Sequence, residues 1–284
     1  MRLVLILLLL GSLGANIALG SFVLVGIVTR STFTDMMRKG AKYLQLPPVG
    51  RWQPNKDYQA ERDCDLTASP VILVIGQSNA ANAAYAYTRA KDEGARAYQD
   101  GKCYTLYDPV IGGDGTRGSQ WPLFADRYRQ HFGRSVTVIS ASWGGSTIAN
   151  WSDNGYDRFA LAQVKSVRDR GARIAAVFWQ QGESDPRIDP AVYKAKFGVV
   201  MDRLRQAGVD APIFVAQATR ADGVNETLRA AQRELAQQPG YASGPDGDIV
   251  TDRFDNYHLG AEGVRQMAQL WLDAVIACNC VQKD

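Results

Sequence analysis

"VILVIGQSNAANAA" (residues 71–84) is the stretch on which the reading of the chain turns. The aliphatic run Val71 to Ile75 has the composition of a strand covered on both faces. Gly76 marks a break where a tight turn would require glycine. The alanine-rich run after Ser78 reads as a helix packed closely on that strand. Ser78 then lies where a strand hands over to a helix, with N-terminal amides nearby to favour negative charge. A serine in this position is also an ordinary helix N-cap, so its meaning depends on its partners elsewhere in the chain.

Outward from this stretch the sequence alternates strand-like and helix-like segments. Strands are expected at 104–108, 136–142, 174–180, 212–218 and 248–250. Helices are expected at 123–132, 158–171, 191–208, 224–238 and 261–277. Such alternation predicts an α/β domain with a parallel sheet and helices on both faces. In that architecture functional residues lie beyond the C-terminal strand ends.

Before residue 70 the chain is different. Residues 3–28 carry no charge and are long enough to cross a bilayer as a helix. They also fit a signal peptide, with "ALG" before Ser21 as the cleavage site. The second apolar run, "FVLVGIV", favours an uncleaved anchor. The expected organisation is an anchor or signal segment at 1–30, a linker rich in Pro and charge at 31–69, and a catalytic domain at 70–284. Arg30, Arg38, Lys39 and Lys42 follow the segment and would hold the C-terminal part inside. Against this stand Cys64, Cys103, Cys278 and Cys280, an even count suited to an oxidising compartment. An extracytoplasmic domain, membrane-anchored or secreted, is therefore expected. At least one disulfide should form, Cys64 pairing with Cys103 or with the 278/280 pair. Four free buried thiols are the alternative. The net charge of +3, with both signs interspersed, gives no footprint for nucleic acid.

The chain has two histidines. His131 reads as a capping or surface residue at a helix end. His258, in "FDNYHLGAEG", precedes the last helix, with Asp255 three residues earlier. That spacing lets the carboxylate fix the imidazole tautomer while the imidazole serves Ser78 as base. A helix-capping turn is the plainer alternative. Hydroxyl attack on an acyl carbon also needs donors for an oxyanion. Gly144 and Gly145 follow the strand at 136–142, and Gln181 follows the strand at 174–180. Trp143, Trp151, Trp179 and Tyr257 lie near the same rim as candidate sugar-stacking residues, with core packing equally expected for Trp151 and Trp179.

The blocks "GQSN", "GGSTIANW", "WQQGESD" and "DNYHLGAEG", in this order, resemble the SGNH hydrolase superfamily, in particular its sialate O-acetylesterase-like branch. The resemblance spans about residues 71–277. It implies a flavodoxin-like α/β/α fold with Ser78 as nucleophile, His258 as base and Asp255 as its partner. It assigns oxyanion donors to Ser78, Gly144 and Gln181, and adds Gly145, Asn79 and Glu183 to the binding set. Glu183 and Asp185 are expected mainly to brace the loops. Asn82 departs from the glycine usual in "GQSNMAG", and the glycine-rich loop 112–121 is either a substrate loop or a long mobile connection. The implied activity is removal of O-acetyl groups from a carbohydrate, without metal or cofactor. Alternatives are an acyltransferase on a cell-envelope glycan, a silent carbohydrate-binding module, and a lipase or thioesterase.

Overall fold

The structure, a computed structural model, describes residues 58, 60, 61 and 64–281. The expected N-terminal anchor and most of the linker lie outside the described residues. Seven strands form one sheet: β1 Val71–Gly76, β2 Arg96–Gln99, β3 Lys102–Thr105, β4 Thr137–Ser142, β5 Ile174–Gln180, β6 Ile213–Gln217 and β7 Tyr241–Asp246, in the order β3-β2-β4-β1-β5-β6-β7. All neighbours run parallel except the β2–β3 hairpin at one edge. The helices are α1 Trp121–Phe132, α2 Ile148–Asp153, α3 Asp157–Asp169, α4 Pro190–Gln206, α5 Glu226–Ala236 and α6 Ala261–Cys278.

β1 is central and wholly buried, and its side chains alternate between two cores. Leu73 and Ile75 pack with Val164 of α3 and with Phe197 and Leu204 of α4. Ile72 and Val74 pack on the other face with Phe124 of α1 and Trp271 of α6. The result is the expected α/β/α sandwich. Gly76 is required by close approach, not by a turn: a Cβ there would lie 2.0 Å from the Gln180 carbonyl oxygen. From β1 the chain first builds the β2–β4 side of the sheet, then crosses to β5. The crevice at such a crossing lies at the C-terminal ends of β1, β4 and β5.

Three expectations are corrected. The alanine-rich run after Ser78 forms only a turn. The Asn82 amide, which would return to Ser78 in a helix, donates instead to the Asp114 carbonyl at 2.9 Å. The Asn82 side chain donates to the Val110 and Gly113 carbonyls and accepts from the Val110 amide. Asn82 therefore knits the 112–121 loop to the nucleophile turn. Second, residues 247–249 form a 3₁₀ turn, and the last strand precedes it at Tyr241–Asp246. Third, β2 and α2 were not expected, and the strand placed at 104–108 begins earlier, at Lys102.

Disulfides join Cys64 to Cys103 and Cys278 to Cys280. The first pins the segment before β1 onto the edge hairpin, where the Glu61 amide also donates to the Cys103 carbonyl and Glu61 pairs with Arg96. It spans a sequence separation of 39, whereas the second closes almost no loop. Replacing Cys64 and Cys103 together by Ser should lower the unfolding free energy by roughly 3–4 kcal/mol. In a domain of this size that reads as a Tm drop of roughly 10 °C in a thermal melt. An unchanged Tm would show that the bridge does not constrain the unfolded chain.

Candidate active site

Four loops meet at the C-terminal strand ends: those after β1, β4 and β5, and the segment between the 3₁₀ turn and α6. Their junction is built from carboxamide side chains. Gln77 is buried, and its Oε1 accepts from the Gly182 amide at 3.2 Å, the Ser184 amide at 3.1 Å and Gln181 Nε2 at 3.3 Å. One oxygen thus gathers the β5 loop around the turn after β1. Asn79, also buried, donates from Nδ2 to Glu183 Oε1 and to the Tyr257 carbonyl, both at 3.0 Å, and its Oδ1 accepts from the Leu259 amide at 3.3 Å. Tyr257 and Leu259 flank His258. The residue next to Ser78 therefore grips the backbone on both sides of the histidine. Neither the Ser78 hydroxyl nor its amide has a hydrogen-bond partner among the described residues, so no direct Ser78–His258 bond is present.

His258 Nδ1 lies 2.6 Å from Asp255 Oδ2, and Asp255 Oδ1 accepts from the Tyr257 and His258 amides. Partial burial would raise the Asp255 carboxyl. The hydrogen bonds from His258 and Tyr257 more than offset this and hold it below the usual carboxylate range. Asp252, the other carboxylate of this segment, does something else. It accepts from the Glu262 and Gly263 amides and so caps the first turn of α6. His131 sits in the exposed last turn of α1 against Phe132.

Gly144 and Gly145 follow β4 as expected. Gly145 has φ +60°, a conformation that favours glycine. The Gly144 amide donates to Asp114 Oδ2 at 3.2 Å. It faces an anionic oxygen, but one that the chain itself supplies. Gln181 is placed differently from its expected role. It is fully buried, and its Nε2 faces Asp185 Oδ2 at 2.6 Å, the Ser146 carbonyl at 3.1 Å and Gln77 Oε1. With those donors spent inside the protein, Gln181 braces loops. Asp185 does so as well, accepting from the Ile148 amide at the start of α2. Asn79 likewise spends both amide hydrogens within the protein. The tryptophans are core residues: Trp143, Trp151 and Trp179 are 8%, 1% and 0% exposed.

Glu183 is buried, with Oε1 held by Asn79 and Oε2 unpartnered. Burial pushes its carboxyl up to about 7, against the pull of the Asn79 hydrogen bond and the nearby Arg253 charge. The folded state thus holds this proton to higher pH than the unfolded chain. The stabilisation is complete below about pH 4.5, the ordinary value, and is lost as pH rises through 7. Glu183→Gln keeps an acceptor for Asn79 and removes the buried charge. It should raise the unfolding free energy at pH 8 by up to roughly 3 kcal/mol and far less at pH 5, measured by denaturant titration. An equal gain at both pH values would exclude charge burial as the cause.

Arg253 was not anticipated. Its guanidinium donates to the Val250, Tyr257 and Gly247 carbonyls and binds the His258 loop from beneath. Gln77, quoted in the first block but given no role, was the other omission. The available signal for Gln77 was a carboxamide set directly after a fully apolar strand, where a polar side chain must find partners.

The sequence pattern of the family described as carbohydrate esterase, sialic acid-specific acetylesterase matches residues 117–277, more than half of the chain. The chain belongs to this acetylesterase family. The match takes in Gly144, Gln181, Asp255 and His258 and begins beyond the Ser78 turn. Among solved structures, a protein from Arabidopsis thaliana superposes on this acetylesterase-family chain with a TM-score of 0.63 at 20% identity, covering 75% of this chain and 99% of its own. NanS superposes with a TM-score of 0.53 at 14% identity, covering 76% of this chain and 99% of its own. At such identities the likeness establishes the fold, which is the SGNH hydrolase fold expected from the four blocks. No curated protein sequence matches the chain.

Proposed function

We propose that this acetylesterase-family chain removes O-acetyl groups from a carbohydrate through an acyl-Ser78 intermediate. The observation that carries the proposal is the double grip of Asn79 on the residues flanking His258, with Asp255 on His258 Nδ1. In the proposed reaction His258 Nε2 takes the Ser78 proton as Oγ attacks the acetyl carbonyl carbon. Asp255 holds the imidazole by Nδ1–H and stabilises the imidazolium. The Ser78 and Gly144 amides receive the oxyanion, with the Asp114 carboxylate yielding its place on Gly144. His258 then protonates the departing sugar oxygen. It next deprotonates the water that releases acetate from Ser78.

The two disulfides support an extracytoplasmic setting for the domain, with residues 3–28 as its membrane anchor. The deciding experiment is acetate release from a panel of O-acetylated glycans, with Ser78→Ala as control. Absence of release from every glycan and from a simple acetate ester would overturn the proposal.

A further inference from the structure

Four large aromatic side chains are exposed among the described residues: Tyr85 at 59%, Tyr87 at 63%, Phe254 at 39% and Tyr257 at 40%. They come from only two short segments. One follows the Ser78 turn and the other is the Asp255–His258 loop. The Tyr85 and Phe254 rings are 5.6 Å apart. Phe254 stacks on the His258 ring at 6.0 Å, and the Arg117 guanidinium lies 5.1 Å from the Phe254 centroid. The segments that carry the rings are held in place. The Tyr85 amide donates to the Leu259 carbonyl at 2.9 Å. The Tyr87 hydroxyl donates to the Thr116 carbonyl at 2.6 Å, and the Tyr257 hydroxyl donates to Asp222 at 2.7 Å.

The other large aromatics among the described residues are buried or half-buried, and four tryptophans are fully buried. Water-exposed rings gathered on two adjoining segments mark a contact surface. We infer that Tyr85, backed by the Phe254 ring over which the Arg117 guanidinium lies, forms a stacking subsite for a sugar ring of the glycan substrate. A pyranose offers an apolar C–H face to an aromatic ring and an edge of oxygens to a guanidinium, which has five N–H donors. The contact of Phe254 with His258 places this subsite against the reacting centre. The inference rests on the carbohydrate-esterase proposal and names where and by what chemistry the sugar is held.

The test compares Tyr85→Ala and Tyr85→Phe with the parent protein on two substrates, an O-acetylated oligosaccharide and 4-nitrophenyl acetate. The kcat/KM ratio of glycan to small ester should fall at least tenfold in Tyr85→Ala and be retained in Tyr85→Phe, because the ring and not the hydroxyl does the stacking. Calorimetric titration of the deacetylated oligosaccharide into the Ser78→Ala protein should show the same dependence on the Tyr85 ring without any turnover. An unchanged ratio with unchanged binding overturns the subsite while leaving the esterase proposal standing. A parent protein that hydrolyses neither substrate overturns the esterase proposal, and titration then judges the subsite alone. Ring-dependent binding to anionic lipid vesicles with an unchanged glycan ratio would reassign the rim to membrane contact and overturn the inference.

Discussion

Ser78→Ala is expected to lower acetate release by roughly 10⁴- to 10⁶-fold while leaving the protein as stable as before. Both halves of that expectation follow from the geometry. The Ser78 hydroxyl bonds to no described residue, so its removal breaks nothing in the folded state. The turn is held by its neighbours, Gln77 through three donors and Asn79 through three bonds of its own. The loss should therefore be in kcat, with substrate still bound and the oxyanion donors still present. Residual turnover would come from those donors and from positioning. A serine-reactive phosphonate should label the parent at Ser78 and fail to label the variant. Near-normal acetate release by a folded Ser78→Ala protein would remove Ser78 from the chemistry.

His258→Ala should produce a loss of similar size, roughly 10⁴-fold or more, and should abolish the acid limb of the kcat/KM profile. That limb arises because a protonated imidazole cannot accept the serine proton. The variant is a clean one, since Asn79 grips main-chain atoms of residues 257 and 259, which the substitution leaves in place. His131→Ala should change neither rate nor limb. Asp255→Asn should be milder, roughly 10³- to 10⁴-fold, because it sets the wrong tautomer without removing a reacting atom. The Asp255 side chain is 39% exposed, so solvent replaces part of its electrostatic role. Asp252→Asn keeps an oxygen for the cap of α6 and loses only its charge at the helix N-terminus, so it should cost less than about 1 kcal/mol of stability and leave the pH profile alone. If Asp252→Asn removes activity and Asp255→Asn does not, the carboxylate has been misassigned. If His131→Ala abolishes activity in a folded protein, so has the histidine.

The sheet was legible because its central strands are fully buried and read as unbroken apolar runs. β1, β4 and β5 fall within a residue of where the sequence places them. The edge was less legible. β2, "RAYQ", and β3, "KCYT", are short and mixed in polarity, and an antiparallel hairpin there leaves no signal of hydrophobic length. "NAANAA" misled for a different reason. Alanine favours helix in isolation, but Asn82 finds better partners in the 110–114 loop, and tertiary hydrogen bonds overrode propensity.

The site divided in the same way. Residue types placed after strands and before the last helix put Ser78, Gly144 and His258 on loops that hydrogen bonds draw together. The direction of a side chain was not legible. Gln181 follows a strand as an oxyanion donor would, yet it turns inward because Asp185 and the Ser146 carbonyl are the nearest acceptors. Trp143 and Trp179 lie at strand ends too, and Trp151 in α2, but large rings are drawn into whichever core lies beneath them. The exposed aromatics Tyr85 and Phe254 lie in loops whose path no periodicity reports.

The carboxylate of Asp114 on the Gly144 amide has a consequence for turnover. In the proposed reaction the product is acetate, a small anion that would otherwise rebind the donors that held its precursor. In that reaction a tethered carboxylate would compete from an effective concentration roughly in the millimolar range and would refill the vacancy as product leaves. Each catalytic cycle would then end with the chain displacing its own product, and accumulated acetate would have to outcompete a resident mimic of itself before it could slow the enzyme.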